Sequence, residues 1–125
     1  MMNISDNLQA VRHRIAAAAH ACGRDPASIS LLAVSKTKPD SDILAAAAAG
    51  QRAFGENYVQ EGCDKAERLT AAGHALDWHF IGPIQSNKTR VIAENFSWVH
   101  GVDRLKIAER LSAQRPAPLP PLQVC

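Results

Sequence analysis

The sequence predicts an α/β fold, the N-terminal half of a (β/α)8 barrel preceded by an extra helix. Three observations carry that expectation. Strand-like runs begin near residues 31, 52, 78, 98 and 122, so a unit of about 20 to 25 residues of strand plus helix recurs along the chain. The first run, Leu31-Leu32-Ala33-Val34-Ser35, is short and apolar, as suits a strand buried on both faces of a parallel sheet. Two other architectures of similar period lack their marks. No G-x-G-x-x-G follows the first strand, as a dinucleotide-binding sheet requires, and no L-x-x-L-x-L repeat marks a leucine-rich solenoid. A full barrel takes roughly 250 residues. The 125 residues here hold about four units and the start of a fifth, so residues 1–125 are expected to form a partial barrel domain.

Each element has a local reason. Ile4, Leu8, Val11, Ile15 and Ala18 recur at helical spacing, with Asn3 placed to cap the helix and Gly23 just past its end. A turn at Arg24-Asp25-Pro26 leads to the first strand. Pro39-Asp40 opens a second helix that Gly50 closes. Arg52-Ala53-Phe54-Gly55 reads as the second strand. Asn57 then caps a helix running to about residue 72, with Gln60 three residues on and Gly73 after the end. Trp78-His79-Phe80-Ile81-Gly82 is the third strand, and Pro83 precedes a helix over 86–95. Trp98-Val99-His100-Gly101-Val102 is the fourth strand, after which Asp103 caps a helix with Leu105, Ala108 and Leu111 on one face. The proline-rich stretch 115–121 breaks the pattern, and Leu122-Gln123-Val124-Cys125 begins a fifth strand. Because the chain ends inside that run, a truncated barrel is expected. The alternative is a short protein that completes its sheet by pairing with a second chain, since open strand edges and bare apolar layers are unfavourable in water.

Composition narrows the partners. Lys plus Arg number 14 against 12 Asp plus Glu, a balance that argues against nucleic acid or a membrane surface as partner. Cys22, Cys63 and Cys125 are far apart, odd in number and lack metal-ligand spacing. They read as buried or half-buried thiols in a reducing compartment. The polar start has no secretory pattern, and the longest alanine run, 45–49, is too short to span a bilayer. A cytoplasmic protein is expected.

Lys36 leads the residues able to do chemistry. It follows the first strand directly, and alternation puts Leu32, Val34 and Lys36 on one face. The C-terminal mouth of the strands is where barrel active sites sit. An amine above an apolar interior is partly desolvated, which favours the neutral form that attacks an aldehyde. By composition alone Lys38 is an equal candidate, and a solvated lysine is the ordinary case. In Gly55-Glu56-Asn57, either Glu56 or Asn57 faces the mouth, or Asn57 is a plain helix cap. His79 shares a strand face with Ile81, and His100 lies on the next strand. Both fit hydrogen-bonded core histidines as well as functional ones. The polar run Gln85-Ser86-Asn87-Lys88 at a helix start suits an anion or a solvated cap.

Three motifs together carry a resemblance. Leu31-Leu32-Ala33-Val34-Ser35-Lys36-Thr37-Lys38-Pro39, Phe54-Gly55-Glu56-Asn57-Tyr58-Val59-Gln60-Glu61 and Trp78-His79-Phe80-Ile81-Gly82-Pro83-Ile84-Gln85-Ser86-Asn87-Lys88 closely resemble the pyridoxal phosphate homeostasis proteins. Val99-His100 and Val102-Asp103-Arg104 fit too, and the resemblance covers essentially the whole chain. It implies a fold-type III barrel like the N-terminal domain of alanine racemase, with pyridoxal 5′-phosphate (PLP) held as a Schiff base on Lys36 and Asn57 on the pocket wall. It implies a cytoplasmic protein, monomeric when full length, a carrier or regulator that keeps intracellular PLP supply and amino-acid/keto-acid pools in balance without robust catalysis, with apo PLP enzymes as candidate partners. The family's phosphate cradle and ring-nitrogen partner come from later strands, so weak, exchangeable attachment by this piece is expected. Two alternatives stand beside this reading: a PLP-dependent amino-acid racemase, and a fragment with no function of its own.

Overall fold

The computed structural model describes residues 3–125; Met1 and Met2, part of the start read as lacking a secretory pattern, lie outside them. Five helices alternate with five strands: α1 (Ile4–Ala21), β1 (Ala33–Val34), α2 (Asp40–Ala48), β2 (Ala53–Glu56), α3 (Val59–Ala71), β3 (Asp77–Phe80), α4 (Thr89–Asn95), β4 (Trp98–Val99), α5 (Leu105–Gln114) and β5 (Gln123–Val124). The strands form one parallel sheet in the order β1-β2-β3-β4-β5. Sequential parallel pairing with a helix in each crossover is the topology of a (β/α)8 barrel, and these are its first units.

The helices begin and end for local reasons. Asn3 Oδ1 accepts from the Asp6 amide at 2.8 Å and the Asp6 carboxylate accepts from the Asn3 amide, so α1 starts with a capping box. Past the ends of α2 and α3, Gly50 and Gly73 take φ of +99° and +91°, where a side chain would be strained. Two expected caps fail. α3 begins at Val59 behind Tyr58, and α5 begins behind Arg104, neither with a side-chain cap, so Asn57 and Asp103 do not cap. Asn57 still follows the strand: the carbonyl of Glu56 before it accepts from the Ile81 amide at 2.9 Å, which delays the helix by two residues. Asp103 is exposed and lies 3.9 Å from Arg104 Nε.

The core lies between the sheet and its helices. Phe54, Trp78, Phe80 and Val99 point to the helix side and are buried with Ile43, Leu69, Ile92, Phe96, Ile107 and Leu111. Phe80 and Phe96 meet edge-on with ring centroids 5.3 Å apart. On α1, Arg12 donates to the Ala49 carbonyl and to Gln51 Oε1, while Gln51 Nε2 donates to the carbonyls of Leu31 and Ala53. Arg68 on α3 grips Asp40 on α2 through two 3.0 Å contacts, which hold the Asp40 carboxyl below its ordinary value.

The opposite face of the sheet is open. The first strand was expected to be buried on both faces, yet Val34 is 51% exposed because no second layer covers it. Over β2, Gly55 leaves room for Leu32 and Ile81, whose side-chain atoms stand 3.3–3.5 Å from where its Cβ would be. The cysteines also depart from expectation: Cys63 is buried, but Cys22 and Cys125 are exposed. Burial, reinforced by Glu67 and Asp64, pushes the Cys63 thiol up to about 11, so it is protonated and unreactive at neutral pH.

Candidate functional site

The register places the site. Val34 pairs with Gly55, Gly55 with His79, His79 with Trp98 and Trp98 with Gln123, all on the open face. Two residues further along each strand, the same parity brings Lys36, Asn57, Ile81, His100 and Cys125 to the C-terminal rim. The ladder continues to that level, since the amides of Ile81, His100 and Cys125 donate to Glu56, Phe80 and Val99 at 2.9 Å. Lys36 is exposed there and, among the described residues, makes no salt bridge. The apolar interior expected to desolvate it is open to water. Asn57 stands on the neighbouring strand with its Oδ1 buried and without a hydrogen-bond partner. Close approach of the next rim segments packs around it. A Cβ on Gly82 would lie 2.8 Å from the Asn57 carbonyl, and one on Gly101 would lie 2.7 Å from the Gly82 carbonyl.

Glu56 does not face the mouth. It is fully buried on the helix side, where Oε2 accepts from Ser35 Oγ and from Lys65 Nζ, the latter at 3.0 Å. Lys65 Nζ also donates to the Ser35 carbonyl at 2.7 Å and lies 3.7 Å from Glu61 Oε1. The Glu61 carboxylate in turn accepts from the Thr37 amide at 2.9 and 3.1 Å. This network ties both sides of Lys36 to α3. The sequence reading missed it, although two signals were present. Alternation puts Glu56 on the same face as Phe54, and Glu61 and Lys65 are four apart on a helix, the spacing of a facing pair.

His79 and His100, expected on neighbouring strands, do meet. Their Nδ1 and Nε2 atoms share a hydrogen bond of 2.9 Å, and the His79 ring stacks on Trp98 at 5.3 Å. Burial, and then the charge of His100, lower the His79 pKa from its ordinary 6.5, against a smaller opposite pull from Asp77. A histidine depressed in the fold contributes stability that is present above the unfolded value and is lost as pH falls through the folded one. Stability should therefore decline as pH drops from about 7.5 to 5.5, and His79→Phe should flatten that decline. Urea midpoints across the range measure this, and equal slopes in both proteins would exclude the pair as their source. The polar run at 85–88 leads into a 3₁₀ turn over Ser86–Lys88, whose Ser86 carbonyl accepts from Thr89 Oγ1 and Arg110 Nε. Lys38 is exposed beyond the bend.

Comparison with known proteins fits this geometry. The alanine racemase N-terminal domain family matches residues 7–125. The chain is 63% identical over 125 residues to the pyridoxal phosphate homeostasis protein of Pseudomonas aeruginosa, covering 100% of this chain and 54% of that one. It is 61% identical to the protein of the same name from Escherichia coli K12, covering 99% and 53%. The structure of PipY from Synechococcus elongatus PCC7942 with PLP bound matches at a TM-score of 0.74 and 42% identity, over 90% of this chain and 48% of that one. The chain thus spans about half the length of the relatives it matches. Among the described residues, no helix is long and apolar enough to cross a membrane.

Proposed function

Because the chain belongs to the family of alanine racemase N-terminal domains, we propose that it holds PLP on Lys36 and serves intracellular PLP homeostasis. In this reading residues 1–125 are a partial cofactor-binding barrel domain and Asn57 lines the pocket. The observation that carries it is an exposed, unpaired lysine at the mouth end of the first strand, beside a buried Asn57 oxygen that lacks a partner. A partnerless buried acceptor is the condition of a side chain placed to receive a polar ligand, so the residues present fit the cofactor. When bound, PLP supplies an aldehyde and an electron-withdrawing ring. Lys36 would hold the cofactor through its Nζ, the condensation with the aldehyde releasing one water.

A carrier or regulator is favoured over a racemase. Racemisation needs acid/base groups on both faces of the reacting carbon. Tyr58, the chain's one tyrosine, is more than half exposed ahead of α3, one residue past the rim position of Asn57. The names of the relatives support the same role. The setting proposed is the cytoplasm, the complete protein a monomer, and the recipients apo PLP enzymes.

Borohydride trapping tests the proposal. The chain is incubated with PLP, reduced, and its adducts are mapped by mass spectrometry beside Lys36→Ala. Labelling is expected to concentrate at Lys36 and to vanish from that peptide in the variant. Even labelling over Lys36, Lys38, Lys88 and Lys106 would sink the assignment.

A further inference from the structure

We infer that Glu61 is a positioning residue for Lys36, acting through the backbone of Thr37. The inference rests on the reading of Lys36 as the PLP anchor. Thr37 has a φ of +64°, the one positive value outside glycine among the described residues. The Lys38 amide donates to the Ser35 carbonyl at 3.1 Å, which makes Lys36 and Thr37 the two central residues of a four-residue turn. A positive φ at the second central position is normally given to Gly or Asn. A β-branched residue there is disfavoured by sterics and persists only when its surroundings impose it.

The surroundings are specific. The Glu61 carboxylate, 24 residues along the chain, receives the Thr37 amide at both oxygens. It is held in turn by Lys65, whose amine also fixes the Ser35 carbonyl at the start of the same turn. α3 therefore grips the turn before and after Lys36. The Lys36 side chain leaves from a corner whose two neighbours are anchored. Among the described residues no hydrogen bond or salt bridge joins Glu61 to Lys36, so its effect is taken to pass through the turn.

The test uses the whole chain and two readouts. The first is the ratio of borohydride-trapped PLP at Lys36 to that at Lys38. The second is hydrogen exchange at the Thr37 amide, which needs no PLP. In Glu61→Ala both the ratio and the protection should fall about tenfold, the scale of one left-handed non-glycine residue losing its support. Glu61→Gln keeps an acceptor and should lose less. Glu61→Ala with Thr37→Gly should regain most of the ratio, because glycine takes this φ unaided. A helix merely weakened by the substitution would not be rescued at residue 37. Unchanged protection in Glu61→Ala, or no rescue by glycine, overturns the inference while leaving Lys36 as anchor. Absence of Lys36 selectivity in the unsubstituted chain overturns the anchor reading, and the positioning role falls with it.

Discussion

Lys65→Ala should destabilise the chain by about 3–5 kcal/mol, the usual result of removing one partner from a buried ion pair. The Lys65 and Glu56 side chains are 4% and 0% exposed, and their contact is 3.0 Å. Without the amine, the Glu56 carboxylate retains Ser35 Oγ as its one donor in a buried layer that includes Phe54, Phe80 and Phe96. Gly62 holds α3 tight against β2, since a Cβ there would stand 2.9 Å from the Phe96 ring and 3.0 Å from Glu56 Cβ. The penalty is the stranded charge rather than the worth of the pair. Replacing both partners, Lys65→Met with Glu56→Leu, should therefore recover much of the stability. Urea unfolding of the single and double variants decides this. A single variant within about 1 kcal/mol of the parent would mean that the pair is solvated in solution.

That pair also shows where sequence reading stops. The repeat of strand and helix was legible because each unit must bury one face of its helix and one face of its strand. The five predicted strands lie at the five observed ones. Their lengths were less legible. Leu31 is apolar and predicted in strand, but its carbonyl accepts from Gln51 Nε2, a side chain that stands in for a ladder partner. The rim position of Lys36 followed from alternation. The role of Glu56 was hidden because a carboxylate next to an asparagine at a strand end looks like a solvated turn. Only the tertiary placement of α3 shows that it is buried and neutralised from nine residues away. The Thr37 bend was equally hidden, since threonine is a poor predictor of a positive φ. The two misjudged caps have different settings: Asn57 follows β2 directly and keeps to the strand's course, whereas Asp103 lies in the loop between the end of β4 at Val99 and the start of α5 at Leu105.

The second large effect concerns which face holds the sheet up. Phe80→Ala should cost about 3–5 kcal/mol, the range for deleting a fully buried aromatic. Phe80 is 0% exposed and packs edge-on against Phe96. Val34→Ala, a truncation on the opposite face, should stay within about 0.5 kcal/mol, because Val34 is half exposed. The contrast is a test of sidedness: comparable losses at the two positions, read from urea midpoints at equal slopes, would mean that the open face is covered in solution. It also bears on function. The residues proposed to meet the cofactor stand at the rim of the face that contributes least to stability. Lys36→Ala removes an exposed amine, and Asn57→Ala removes a carboxamide oxygen that has no partner to lose. A loss of PLP attachment in either variant can then be read as a loss of chemistry, because the layer that folds the sheet lies on its other side.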